Sequence, residues 1–313
     1  MSAPIRLATV RSGQIESTHD VSVVITDTTG RVTGLWGDDH EFFYRSAIKP
    51  FQATVSLEAG ARLSPENIAI ACSSHGGFPI HLALVEANLA AAGLTTAALR
   101  CPPAWPRDEA AKELAMIRGH HQPTTLFNNC SGKHSGWLAA CIAQGWPTET
   151  YLDPAHPIQQ RVMALVEEMA EIPVRPVGID GCGAPTLRGR LTGLARAFAR
   201  LSVEPRLSAA ATAMWRFPAL LSSNNLNEGR FAAWWGGPVK GGAEGLIAAG
   251  RNGIGVAAKS HDGHVDIALA AMMEAIDRVG LLSDAARHAL SDVARPPVLG
   301  GGRRVGAIEP IAG

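Results

Sequence analysis

An α/β fold of the α+β type, with one antiparallel sheet built from strands at both ends of the chain and flanked by helices, is predicted by three observations. The first 36 residues alternate in strand fashion, the same pattern returns in the last third, and helical periodicity broken by Gly and Pro fills the middle. No tandem repeat or linker divides the 313 residues. They are read as a single domain, 1–313, with a helical subdomain around 85–220.

At the N-terminus "RLATVRS", "VSVVITD" and "RVTGLWG" read as strands, the last two joined by the turn "TDTTGR". Next comes "RSAIKPFQA", residues 45–53, where Pro50 marks a helix that has only just begun and runs from about Ala47 to Glu58. "NIAIAC", residues 67–72, looks like a strand. Helices are expected near 109–118, 134–144, 156–170, 189–202 and 206–216. "GIDGCGAPT", residues 178–186, ends a strand-like run in a glycine-rich turn. "SSNNLNEGRFAAWWGGPVKGG", residues 222–242, reads as a long loop. "EGLIAAG", the turn "RNG" and "GIGVAAK" then form a second hairpin, and a helix with Val265, Leu269, Met272, Ile276 and Val279 on one face closes the pattern at about 264–279.

Charge narrows the partners. Lys plus Arg and Asp plus Glu stand at 28 each, so no basic field invites nucleic acid. The N-terminal "MSAPIRLATVRSGQ" has no apolar run of signal-peptide length, and no stretch nears the roughly 20 apolar residues of a membrane span, so a cytoplasmic location is expected. Five cysteines at irregular spacing fit reduced thiols better than a disulfide framework.

The chemistry gathers where apolar segments end. Ser46 and Lys49 are three apart at a helix start, close enough for a hydroxyl and an amine to share a face. A neutral lysine could take the serine proton, but lowering lysine from about 10.4 to about 7 needs roughly 5 kcal/mol of burial or like-charge repulsion. "ACSSHGGFPIH" carries Ser73, Ser74 and His75 ahead of two glycines, "FNNCSGKHSGW" crowds Cys130, Ser131, Lys133 and His134 before a helix, and "AAKSHDG" puts Lys259 at a strand end. Each has a plain structural reading as well: serine caps, turns, and an edge-strand charge. The order Ser46/Lys49, Ser74, Lys259-Ser260 follows that of penicillin-recognising serine hydrolases.

"YRSAIKPFQA", "SSHGGFPIH", "NNCSGKHSGW", "GIDGCGAPT", "VKGGAEG" and "GIGVAAK", in unbroken order from about residue 5 to residue 280, resemble the Rhizobium-type L-asparaginases of the asparaginase II family. The resemblance implies a homodimer with a serine β-lactamase-like and glutaminase-like fold that hydrolyses L-asparagine to L-aspartate and ammonia. It implies two Ser-Lys pairs, Ser46 with Lys49 and Ser74 with Lys259. It places a zinc-type ion on Cys130, Lys133 and Cys182 and puts Asp180 beside the substrate; Arg45 and His75 join Asp180 as substrate-binding candidates. Read from spacing alone, Cys130 and Cys182 are ordinary buried thiols, because no CxxC is present and lysine is a rare ligand. Two departures stand out: Phe78 occupies the position where the family carries an acid, and 218–235 differs from the family's shorter turn. The rival readings are another SxxK amidase of β-lactamase or peptidase type, and a non-catalytic amino-acid-binding relative.

Overall fold

Alternation in the sequence becomes a single antiparallel sheet. Its strands are Ile5–Arg11 (β1), Gln14–Asp27 (β2), Val32–Trp36 (β3), Val239–Gly242 (β4), Leu246–Arg251 (β5), Ile254–Ser260 (β6), Pro297–Gly300 (β7) and Arg303–Pro310 (β8). The order is β7-β8-β1-β2-β6-β5-β4, with β3 also on β2, and every pairing is antiparallel. The mixed α/β architecture expected from the sequence is the one adopted. The computed structural model describes residues 2–175, 177–221 and 226–311. Two units divide the chain, a sheet unit of Met1–Ala47, Gly189–Val203 and Arg230–Gly313 and a helical unit of Ile48–Arg188 and Glu204–Gly229.

In the sheet unit the two hairpin turns follow from their residues. Asp27 Oδ1 accepts from Thr29 N and Arg31 N, and Gly30 takes φ +84°. Asn252 and Gly253 both adopt positive φ, as a two-residue hairpin that matches strand twist requires. Val21, Val23, Ile25, Ile247, Ala249, Val256 and Ala258 share a core with the helix Val265–Arg278 through Leu269, Met272 and Ile276. Alternate residues face the other way, toward the helix Leu191–Leu201. There glycine is required: a Cβ on Gly255 would lie 1.8 Å from Ala195 O, and one on Gly250 2.0 Å from Phe198 O. The sequence offers no expectation for β7 and β8, because Gly300–Gly302 and Arg303–Arg304 hide their alternation.

The stretch 222–242 corrects the reading of a loop. Leu226–Trp235 is a helix and Val239–Gly242 a buried edge strand, while 222–225 lie outside the described residues. Phe231 and Trp235 stack and enter the sheet core, which gives this helix an apolar anchor that its Asn and Gly content conceals.

"NIAIAC" is corrected too. It forms the end of the helix Pro65–Cys72, because Ser64 caps it by accepting from Asn67 N and Pro65 occupies the first turn. A short apolar run buried on several sides cannot be told from a strand by period alone. The other helices of this unit include Lys49–Glu58, Pro79–Ala91, Glu109–Ile117, Ser131–Gln144, Pro157–Ala170 and Ser208–Arg216. Helix Ser131–Gln144 meets Pro65–Cys72 so closely that a Cβ on Gly132 would sit 2.3 Å from Ile70 O. The run ending in "GIDGCG" contributes only the two-residue strand Gly178–Ile179.

Candidate active site

Helix Lys49–Glu58 begins on Lys49 itself, with Pro50 in its first turn and the 3-10 turn Arg45–Ile48 before it. Lys49 is completely buried, and its Nζ donates to Ser73 O at 2.6 Å and to Ser74 Oγ at 2.9 Å. Burial lowers its pKa, with Lys133 adding like-charge repulsion and Cys130 and Cys182 opposing. The two causes that the sequence required for a neutral amine are therefore present, and the cation that acts is Lys133.

Ser74 ends the turn after helix Pro65–Cys72. Its backbone N–H donates to Leu221 O at 2.9 Å, which fixes the residue from a second segment of the same unit. His75, also completely buried, donates from Nε2 to Ser131 Oγ at 2.9 Å, while the Ser131 hydroxyl donates to Leu126 O. Burial and the neighbouring His81 push the His75 pKa well below its ordinary value, so the ring is neutral. This chain of bonds pins the Ser73–Gly76 segment to the start of helix Ser131–Gln144.

Cys130, Lys133 and Cys182 meet in the same unit. Cys130 sits at the N-cap of helix Ser131–Gln144, its N–H satisfied by Asn128 Oδ1 at 3.0 Å. Lys133, one turn on, donates from Nζ to Cys182 Sγ at 3.3 Å and lies over the Trp137 ring. The two thiols shift in opposite directions because they share one hydrogen bond. Cys182, accepting from Cys130, falls to about 5 with help from Lys133, whereas Cys130, donating and buried, rises to about 12. Burial alone would lower Lys133, but the Cys182 thiolate, Cys130 and Asp180 hold it above its ordinary value. At neutral pH the trio is a thiol, a thiolate and an ammonium with no net charge.

No group of three or more His, Cys, Asp or Glu able to hold a metal occurs among the described residues. The set implied by the resemblance contains only two such residues. It still fits a borderline dication in donor chemistry: two sulfurs and one nitrogen converge, one sulfur is already a thiolate, and loss of the Cys130 and Lys133 protons would free the other two donors.

Asp180 lies on the turn that carries Cys182; its Oδ1 accepts from Gly181 N at 2.7 Å and its carbonyl from Gly183 N at 2.8 Å. Arg45, Ser46 and Lys259 belong to the sheet unit. Arg45 takes φ +47°, a strained value for a non-glycine residue, directly before the half-buried Ser46. Lys259, opposite Ser22 and Leu246 in the ladder, donates to Glu244 O at 2.6 Å and to Ser260 O. Burial lowers its pKa against the pull of Glu244 and Asp262. Asp262 in turn accepts from Ser260 and pairs with His19, a histidine not singled out in the sequence because its partner is 243 residues away. Ser73 and Ser131 were visible only as polar neighbours; their parts depend on a carbonyl and a hydroxyl position that spacing does not encode.

The family model described as L-asparaginase II matches residues 7–310. Among solved structures, "Crystal Structure Analysis of Mglu in its native form" is 16% identical with a TM-score of 0.45, the match covering 85% of this chain and 66% of that one. "Crystal Structure Analysis of Mglu in its tris and glutamate form" is 16% identical with a TM-score of 0.48, covering 89% of this chain and 63% of that one. The chain thus spans just under two thirds of the length of these structures. No curated protein matches it. With nearly its whole length matched, this chain belongs to the L-asparaginase II family.

Proposed function

We propose that the protein is an amidohydrolase that converts L-asparagine to L-aspartate and ammonia through a serine ester, with Lys49 as the base. The observation that carries the reading is the contact between the buried Lys49 amine and Ser74 Oγ, 2.9 Å apart, where burial and Lys133 favour the uncharged amine. As Ser74 Oγ attacks the side-chain amide carbon, its proton passes to Lys49 Nζ. Collapse of the tetrahedral intermediate breaks the C–N bond, and Lys49 returns that proton to the departing nitrogen, which leaves as ammonia. Water then adds to the ester, Lys49 takes its proton, and Ser74 Oγ leaves reprotonated as aspartate departs.

The developing oxyanion needs donors. Ser74 N is already engaged by Leu221 O, but the N–H groups of Gly76 and Gly77 donate to no acceptor among the described residues. Each donor so placed contributes about 3 kcal/mol. Asp180, acceptor-rich and near the cluster, suits the substrate ammonium. Cys130, Lys133 and Cys182 would hold the zinc-type ion, which when bound supplies positive charge to orient or polarise a carbonyl oxygen.

A second reading makes Ser46 the nucleophile; the strained Arg45 backbone directly before it favours it. Ammonia release from L-asparagine and L-glutamine, followed by mass spectrometry of acid-quenched enzyme, tests both. An ester mapped to Ser74 supports the first reading and one on Ser46 the second. Absence of ammonia from L-asparagine would overturn the proposed substrate.

A further inference from the structure

Outside the residues of the proposed reaction, the sheet unit aligns a carboxylate, an imidazole and a hydroxyl. His19 Nδ1–H donates to Asp262 Oδ2, which leaves Nε2 of the neutral ring as an acceptor. Ser17 Oγ lies 3.2 Å from Nε2 and Thr9 Oγ1 3.1 Å. Asp262 is itself held in place: its Oδ1 accepts from the Ser260 hydroxyl and from His264 N at 3.2 Å, and the His264 ring meets His19 edge-on. His19 is buried and Ser17 exposed, so the base is enclosed while the hydroxyl faces solvent.

The strands bring these groups together. Thr9 stands opposite Ser17, and Leu7 opposite His19, across β1 and β2, so Thr9, Ser17 and His19 share one face. One residue before Ser17 the register shifts and Glu16 becomes an extra residue, a bulge of the kind that re-aims side chains beside active sites. Among the described residues β2 has only β1 as a ladder neighbour along this stretch, because β6 joins it from Val21 and β3 from Val23. Asp20 O accepts from His261 N, so its backbone groups point away from β1, and by the alternation of the ladder those of Thr18 do too. Thr18 N–H, next after Ser17, is thus a donor on an open edge, available to an oxyanion formed at Ser17.

We propose that Ser17, His19 and Asp262 form a further nucleophilic centre, sharing no residue with the proposed reaction, that hydrolyses small carboxylic esters. Ser17 Oγ attacks the ester carbonyl carbon as its proton passes to His19 Nε2; the bond to the alcohol oxygen breaks, and the alcohol leaves with that proton. Water then adds to the acyl-serine and gives a proton to Nε2, and Ser17 Oγ leaves reprotonated as the acid departs. A single backbone donor suits an ester, whose alcohol leaves more readily than an amine. Nε2 has one lone pair and accepts from one hydroxyl at a time; Ser17 is the nucleophile because Thr9 is half-buried.

A fluorophosphonate probe, which phosphonylates an activated serine with loss of fluoride, tests this on the full chain by peptide mapping, beside hydrolysis of p-nitrophenyl acetate. Both are repeated in Lys49→Met, which separates any signal that depends on Ser74. Ser17 is expected to label at least about a hundredfold faster than Ser12, exposed in the turn between β1 and β2, and to do so equally in Lys49→Met. Ser17→Ala should abolish that label and lower ester hydrolysis in the Lys49→Met background. His19→Gln should slow the labelling of Ser17 by about 10²- to 10⁴-fold. Ser17 labelling no faster than Ser12, a label on Thr9 in its place, or a rate unchanged in folded His19→Gln would overturn the assignment.

Discussion

The two units handle a lysine in opposite ways. In the helical unit Lys49 is buried, held by one carbonyl and one hydroxyl, with burial and a second lysine lowering its pKa against Cys130 and Cys182. In the sheet unit Lys259 is half-buried at a strand end and tied to two backbone carbonyls beside a His19–Asp262 pair. Both lysines are shifted downward, mainly by burial. Of the two, and among the described residues, only Lys49 bonds a hydroxyl, so only its uncharged form has a serine proton to accept within its own unit. The contrast teaches that a depressed lysine becomes a base through what it touches and not through the shift alone.

The sharpest break of this comparison removes the sheet's tolerance for its covering helix. Gly255→Val would drive a side chain into Ala195 O, and a loss of about 4 kcal/mol or more is expected by urea denaturation, with the helical unit's chemistry lost only as the fold is lost. Lys49→Met should leave far-UV circular dichroism unchanged and cut ammonia release by about 10²- to 10⁴-fold. A parent rate that rises with pH through an acid limb below the ordinary lysine range, near 10.4, would accompany it, because the proton must leave Lys49 before Ser74 can give one up.

Much of this was legible in the sequence, and the failures have physical causes. The hairpins at Gly30 and Gly253, the helix carrying Leu269 and Met272, and the crowding of Cys130 and Lys133 before a helix were readable because turn chemistry and period are local. Pro65–Cys72 was misread because a buried helix of eight residues shows no polar face. Leu226–Trp235 was misread because its anchor, Trp235 stacked on Phe231, is a tertiary fact. The pairing of Lys49 with Ser74, 25 residues apart, could not come from spacing at all.

Smaller effects sharpen the same contrast. Ser64→Ala removes the cap that makes Pro65–Cys72 a helix and should cost about 1 kcal/mol in urea unfolding. In the sheet unit Asp262 would be raised by burial, but donors from His19, Ser260 and His264 N pull it to about 2. Its contribution to stability is therefore complete above the ordinary aspartate range, near 3.9, and is lost as pH falls through about 2. Asp262→Asn should flatten the fall in urea midpoint between pH 4 and pH 2, a modest change for a partly exposed group.

The most direct test of the central claim is ammonia release from L-asparagine by the parent protein beside Lys49→Met and Ser74→Ala, each checked for retained fold. Turnover by the parent that both substitutions reduce by at least about a hundredfold is the predicted result. Full turnover in folded Lys49→Met would contradict it, because no amine would then stand beside Ser74 to take the proton.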